Sequence, residues 1–144
     1  MSDIMASPNA PSNAPIDKII TVQSFETDGK LKLLRGYAGG GFQVNDAFVT
    51  GSIILHPREI HTCPVSDASQ LSHELLEPHL TIVKPDMVLI GVGGNPTHLY
   101  QPIRDYFKQQ AIGVDIMSTS SACRTWNVLL SEGRQGVSCL IAIP

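Results

Sequence analysis

Charge is scarce in this sequence. Asp, Glu, Lys and Arg make up 16% of its 144 residues, against 42% apolar residues and a mean hydropathy of +0.07. So much apolar material with so little charge can bury a core, which excludes intrinsic disorder over most of the chain. The charge that is present leans acidic, with 10 Lys and Arg against 13 Asp and Glu for a net −3. No segment gathers the basic residues into a stripe, so neither nucleic acid nor an anionic membrane surface is the expected partner. Long hydrophobic runs are missing too. The longest, Met87 to Val92, has the length of a core strand and falls far short of the roughly 20 residues that cross a bilayer, so the protein is expected to be soluble. The opening MSDIMASPNAPSNAP has no basic n-region, no apolar h-region and no arginine, which argues against a secretory signal or a transit peptide. Cysteine is sparse and odd in number: Cys63, Cys123 and Cys139 read as reduced thiols in a cytoplasmic protein. No Ser-His-Asp spacing, phosphate-binding loop, kinase signature set or HExxH is present, and no period of 20 to 50 residues repeats. No catalytic set is complete, so the reading leans away from an enzyme and expects no cofactor.

What is there divides into a tail, residues 1–15, and one domain, residues 16–144. In the first half, Ile19 to Val22, the turn dipeptide Asp28-Gly29, and Leu31 to Leu34 predict one hairpin. A second is predicted from Phe42-Gln43-Val44, the tight turn Asn45-Asp46, and a long return strand running from Phe48 through Leu55 to His56-Pro57, where proline cannot donate to a ladder. Glu59 to Pro64 reads as a further extended segment. In the second half the period changes. Leu71, Leu75 and Leu76 predict a short helix closed by Pro78. The apolar run from Met87 is a strand covered on both faces, Pro102 opens a helix with Ile103, Tyr106, Phe107 and Gln110 on its core side, and Gly113 to Met117 is the next strand. Ser118 to Ser121 supply cap oxygens for a third helix, which buries Ala122, Trp126, Leu129 and Leu130, and Val137 to Ile143 ends the chain as a strand. Alternating strands and helices imply a largely parallel sheet in this half, extended or covered by the antiparallel hairpins of the first. The expectation is a single α/β domain with a mixed sheet.

Three places could carry chemistry. Gly91, Gly93 and Gly94 follow the buried strand, where glycine lets the backbone turn sharply and present N–H groups to an anion. A dinucleotide fingerprint would also need a third glycine at fixed spacing, an immediate helix and an acidic residue ending the next strand; here the helix starts late and Asp115 lies inside its strand. Arg124 and Asn127 share the polar face of the third helix, at about 100° per residue. A cation in the first turn opposes the helix dipole, so Arg124 is answered either by a ligand or by a carboxylate such as Asp115 or Glu132. If their strands are neighbours, the glycine loop and this helix start share one cleft at the carboxyl edge of the sheet. Cys123, in the same first turn, is the thiol to test, with His98 as a possible base; the competing reading is a buried structural thiol. His56, His61 and Cys63 suggest a metal, but no fourth ligand is obvious nearby, and His73 and His79 flank a helix elsewhere, so no metal is expected.

Taken together, Val88 to Gly93, Gly113 to Met117, and Ala122-Cys123-Arg124-Thr125-Trp126-Asn127-Val128-Leu129 with Glu132-Gly133-Arg134 resemble a family of small domains of unknown function that is widespread in bacteria and archaea. Its eukaryotic members include the mitochondrial respiratory complex I assembly factor 3 and an adipogenesis-associated protein. The strands at Phe42 and Ser52 also match, so the resemblance covers about Ile16 to Pro144. It implies a three-layer α/β domain, no established reaction, and work through protein partners beside a membrane-associated complex. Trp126 stands where tyrosine or phenylalanine is common in that family, and Gly94 adds a glycine to the loop.

Overall fold

The structure, a computed structural model, describes residues 29–94, 96 and 100–144. The expected tail, the strand at Ile19 to Val22 and His98 lie outside the described residues. Three short strands come first: β1 (Leu34–Gly36), β2 (Gly41–Val44) and β3 (Ala47–Thr50), paired antiparallel in that order. The turn between β2 and β3 is made by Asn45 and Asp46, with Asn45 at φ 51, the left-handed conformation that asparagine tolerates in a two-residue hairpin. Asn45 also holds the chain before β1. Its Oδ1 accepts from the Leu33 N–H at 3.1 Å and its Nδ2 donates to the Leu31 carbonyl at 3.0 Å.

The expected long return strand is broken. Gly51, at φ +88, turns the chain out of the three-stranded sheet, and the next segment, β4 (Ile53–His56), belongs to a second sheet. A positive φ is inexpensive only for glycine, so one residue divides what the apolar pattern alone reads as continuous. With β5 (Glu59–Thr62), β6 (Met87–Gly91), β7 (Gly113–Met117) and β8 (Gly136–Leu140), β4 forms a five-stranded sheet in the order β5-β4-β8-β6-β7. β6 runs parallel to β7 and β8, while β4 runs antiparallel to β5 and β8. The sheet is therefore mixed, and parallel in its C-terminal half, as the alternating elements predict.

The helices are α1 (Glu77–Val83), α2 (Gln101–Gln109) and α3 (Thr119–Ser131). Pro78 starts α1 and does not close it. Proline is suited to the first turn, where its missing N–H would have no partner; before it lie two short 3₁₀ turns, Ala68–Gln70, capped by Asp67 and followed by Leu71, and His73–Leu75, followed by Leu76. Alternation along the strands builds two cores. Ile53, Leu55, Leu89 and Leu140 face α3 and the three-stranded sheet, whereas Ile54, Val88, Ile90, Val137 and Cys139 face α1 and α2. Three layers result, with every residue of β4 and β8 buried. On α3, Trp126 is fully buried and donates from Nε1 to the Lys32 carbonyl at 2.8 Å, which docks the chain before β1 onto the helix. In α2, Ile103 and Phe107 are buried, but Gln110 is exposed, because Ala111 at φ 58 ends the helix before Gly113. Among the described residues no helix is long and apolar enough to cross a membrane.

Candidate functional site

The carboxyl ends of β6 and β7 adjoin, so the glycine loop and the start of α3 meet at one sheet edge. The loop after β6 leads to α2 on one face, and Ser118, directly after β7, caps α3 on the other. What joins them is Thr119, which is fully buried. Its hydroxyl accepts from the Gly93 N–H at 2.9 Å and donates to the Ile141 carbonyl at 2.8 Å, and its own N–H donates to the Gly93 carbonyl at 2.8 Å. One side chain thus ties the loop after β6, the first turn of α3 and the end of β8. Gly91 serves the same junction by being small. A Cβ there would lie 2.9 Å from Thr119 Cα and 3.1 Å from Ala122 Cβ, so only glycine lets α3 sit this close to β6. Gly93 has φ +94, and Gly94 is exposed with open space around it.

The other predicted site residues are placed as follows. Arg124 is exposed and donates from Nη2 to Ser121 Oγ at 3.3 Å; neither Asp115 nor Glu132 pairs with it among the described residues. Asn127 points away from the loop, toward β1. Its Oδ1 accepts from the Leu34 N–H and its Nδ2 donates to the Leu34 carbonyl, both at 2.8 Å, so its amide does what a neighbouring strand would do. The Cys123 thiol is buried, and burial pushes it up to about 12 despite the nearby Arg124 charge. It is protonated at neutral pH. Gly91, Gly93 and Gly94 therefore share an edge with the α3 N-terminus, while Asn127 and Cys123 face into packing.

A second group assembles at the opposite edge of the sheet. His56 ends β4 and shares the face of Ile54; His61 on β5 is paired with Ile54 and faces the same way; α1, which covers that face, brings His79. His56 Nε2 and His79 Nδ1 are 2.8 Å apart, and Glu59 Oε1 lies 2.9 Å from His61 Nε2 and 3.3 Å from His56 Nδ1. His56 is 3% exposed. Burial, and then the neighbouring His61 and His79 rings, pull His56 down to about 4, with Glu59 opposing; burial and His61 do the same to His79, also to about 4. The hydrogen bond from His61 holds the Glu59 carboxyl below its ordinary value. Cys63 turns instead to Cys139, with the sulfurs 3.9 Å apart. Reading Pro78 as the end of a helix separates His79 from this group. Read as a helix start, the same proline puts His79 in a first turn, the one signal in the sequence that could have joined the three. Thr119 carried no signal beyond its place in a run of cap residues.

This architecture, a three-layer α/β domain, is shared with a solved structure described as a Mth938-like domain. The solution structure of a Bordetella pertussis protein described as such a domain matches with a TM-score of 0.67 over 78% of this chain and 86% of that one, at 22% identity, a likeness of fold alone. A crystal structure described as an outer membrane protein of Bartonella henselae matches with a TM-score of 0.72 at 30% identity, over 80% of this chain and 98% of that one. The chain belongs to the family described as "Protein of unknown function (DUF498/DUF598)", whose model matches residues 34–141. It is 32% identical over 129 residues to NADH dehydrogenase (ubiquinone) 1 alpha subcomplex assembly factor 3 of Drosophila melanogaster, covering 87% of this chain and 65% of that protein. The chain thus spans just under two thirds of the length of this relative. The resemblance seen in the sequence is to the family to which the chain belongs.

Proposed function

We propose that this chain is a non-enzymatic assembly module that works through protein partners, one of them a membrane-associated complex of the NADH dehydrogenase kind. The observation that carries the reading is the likeness, over 87% of the chain, to the Drosophila melanogaster relative named as an assembly factor. The geometry is compatible with it. At the glycine loop the Gly93 N–H is already spent on Thr119 and the Cys123 thiol stays protonated, which leaves little there for a reaction to use. Exposed Val128 on α3 and Phe48 on β3 offer apolar contact to a partner. The test is to delete the gene in its own cells and resolve the membrane complexes on native gels, with crosslinking of a tagged chain in parallel. A loss of assembled NADH dehydrogenase, restored by the plasmid-borne chain, and crosslinks to its subunits are expected. Normal assembly with no such crosslink overturns the reading.

A second reading uses the same edge for a small anionic ligand. It rests on exposed Arg124 beside the hydroxyls of Ser118, Ser120 and Ser121, grouped within 3.3 Å of one another or of the guanidinium. Gly91, Gly93 and Gly94 would shape the loop. A metabolite that raises the melting temperature of the wild type but not of Arg124→Ala supports it, since a ligand that binds only the native state stabilises that state. A broad screen with no hit removes it.

A further inference from the structure

The end of the β4–β5 hairpin carries side chains that the assembly reading does not use. His56, His61 and His79 come from three separate elements, and one ring nitrogen from each lies within 4.8 Å of the other two. Their ring centroids are 4.4, 4.9 and 4.9 Å apart. Buried polar side-chain atoms are as a rule hydrogen-bonded. Here the inner nitrogen of His56 meets another imidazole. We propose that these three histidines form a binding site for a divalent transition-metal ion of the zinc class, with Glu59 as the supporting carboxylate.

The three nitrogens lie near the spacing that such an ion imposes. Nitrogens around tetrahedral zinc lie about 2.0–2.1 Å from the metal and so about 3.3 Å from one another. The His56–His79 pair, at 2.8 Å, opens slightly, and the widest separation, 4.8 Å, closes by about 1.5 Å through rotation of rings at the rim. The proton count also closes. With the tautomers that Glu59 favours, its carboxylate 2.9 Å from His61 Nε2 and 3.3 Å from His56 Nδ1, His56 Nε2 and His61 Nδ1 keep lone pairs. His79 donates to His56 without metal; on binding, its proton moves to Nε2 through solvent and Nδ1 becomes the ligand, with no net loss from the neutral ring. A carboxylate on the far nitrogen of ligating histidines is the usual outer partner of zinc sites, because it fixes the tautomer and raises ligand basicity. Three nitrogens and no oxygen cage favour zinc, copper, nickel or cobalt over magnesium and calcium. The side chains of His61 and Glu59 are 15% and 42% exposed, so a water can reach the fourth position. The site is independent of the glycine loop: β4 runs antiparallel to β8, from Ile53 opposite Leu140 to Leu55 opposite Ser138, so His56 lies toward the start of β8, whereas Gly91 is paired with Leu140 at its end.

The test uses metal-free full-length protein, titrated with Zn²⁺ by calorimetry and with Co²⁺ followed by visible absorption. One ion per chain and the intense d–d bands of a four-coordinate cobalt site are expected. His61→Gln and His79→Gln should each weaken zinc binding at least tenfold, and Glu59→Gln by about tenfold, the lower end for an outer carboxylate. His73→Gln, whose ring pairs with Glu77 at 2.8 Å, should leave the affinity unchanged. If His56→Gln does not fold, the rim histidines and Glu59 still decide the matter. Absence of saturable one-to-one binding below roughly 100 μM zinc, or binding unaltered by His61→Gln and His79→Gln together, overturns the proposal.

Discussion

Replacing Thr119 by valine removes one oxygen and almost no volume, which makes it the sharpest perturbation of the sheet edge. The hydroxyl bridges the Gly93 N–H and the Ile141 carbonyl at 2.9 and 2.8 Å. Ile141 is 3% exposed, so its carbonyl is left without solvent as a substitute and costs about 1–3 kcal/mol. Gly93 is half-buried, so its N–H recovers part of its loss from water and adds about 1 kcal/mol. The sum is about 2–4 kcal/mol. Thr119→Ser keeps the oxygen and loses one buried methyl, about 1 kcal/mol. Urea unfolding at 25 °C separates the two variants. With a slope near 1.5–2 kcal/mol per molar, the valine midpoint should fall by about 1.5 M and the serine midpoint by about 0.5 M. Both should fold to the native far-UV spectrum in the absence of urea. Valine as stable as the wild type, or serine worse than valine, would mean that the methyl and not the hydroxyl ties the loop to α3.

The remaining predictions concern the same junction and its surroundings. Gly91→Ala should cost about 1–3 kcal/mol in urea unfolding, because its Cβ meets the α3 backbone at 2.9 Å, while Gly94→Ala, with open space around it, stays within about 0.5 kcal/mol of the wild type. Asn127→Ala loses both bonds to Leu34 and should cost about 2–3 kcal/mol, whereas Arg124→Ala, which loses one exposed 3.3 Å contact, should cost under about 0.5 kcal/mol; equal effects would refute the clamp assigned to Asn127. Ser138 Oγ is buried without a partner among the described residues, so Ser138→Ala should be neutral or stabilise by about 1 kcal/mol, and clear destabilisation would reveal a partner. Because burial pushes Cys123 up to about 12, its alkylation at pH 8, read peptide by peptide in a mass spectrometer, should be slower than in urea by about a thousandfold or more. That rate should rise about tenfold per pH unit until unfolding begins; comparable rates in the folded and unfolded chain would place the thiol in solvent.

Local patterns were legible where one residue type decides the backbone. Asn45-Asp46 marks the β2–β3 turn because asparagine tolerates the left-handed conformation, and the unbroken apolar run at β6 marks a strand with both faces covered. The same local rules misled where two structures share one pattern. Gly51 could be a kink in one strand or a passage between sheets, and Pro78 could end a helix or begin one. Helical periodicity put Asn127 on a polar face, but a polar face can look toward a neighbouring strand as well as toward solvent, and β1 occupies that side. For Cys123, position in a first turn lowers a thiol's pKa and burial raises it; burial is the larger effect, and only packing reveals it.

Determined by the sequence alone were the α/β class, the parallel half of its sheet and the family, since each follows from periodicity or from short runs of residues, whereas the glycine loop and the α3 cap share an edge only because β6 and β7 pair. Tertiary structure decided which side chains work together. Thr119 acts on partners 26 and 22 residues away, and His56 meets a histidine 23 residues along the chain. Meetings at such separations depend on which face a helix covers and which strands pair, and these are set by the packing of the whole core, which no local pattern encodes.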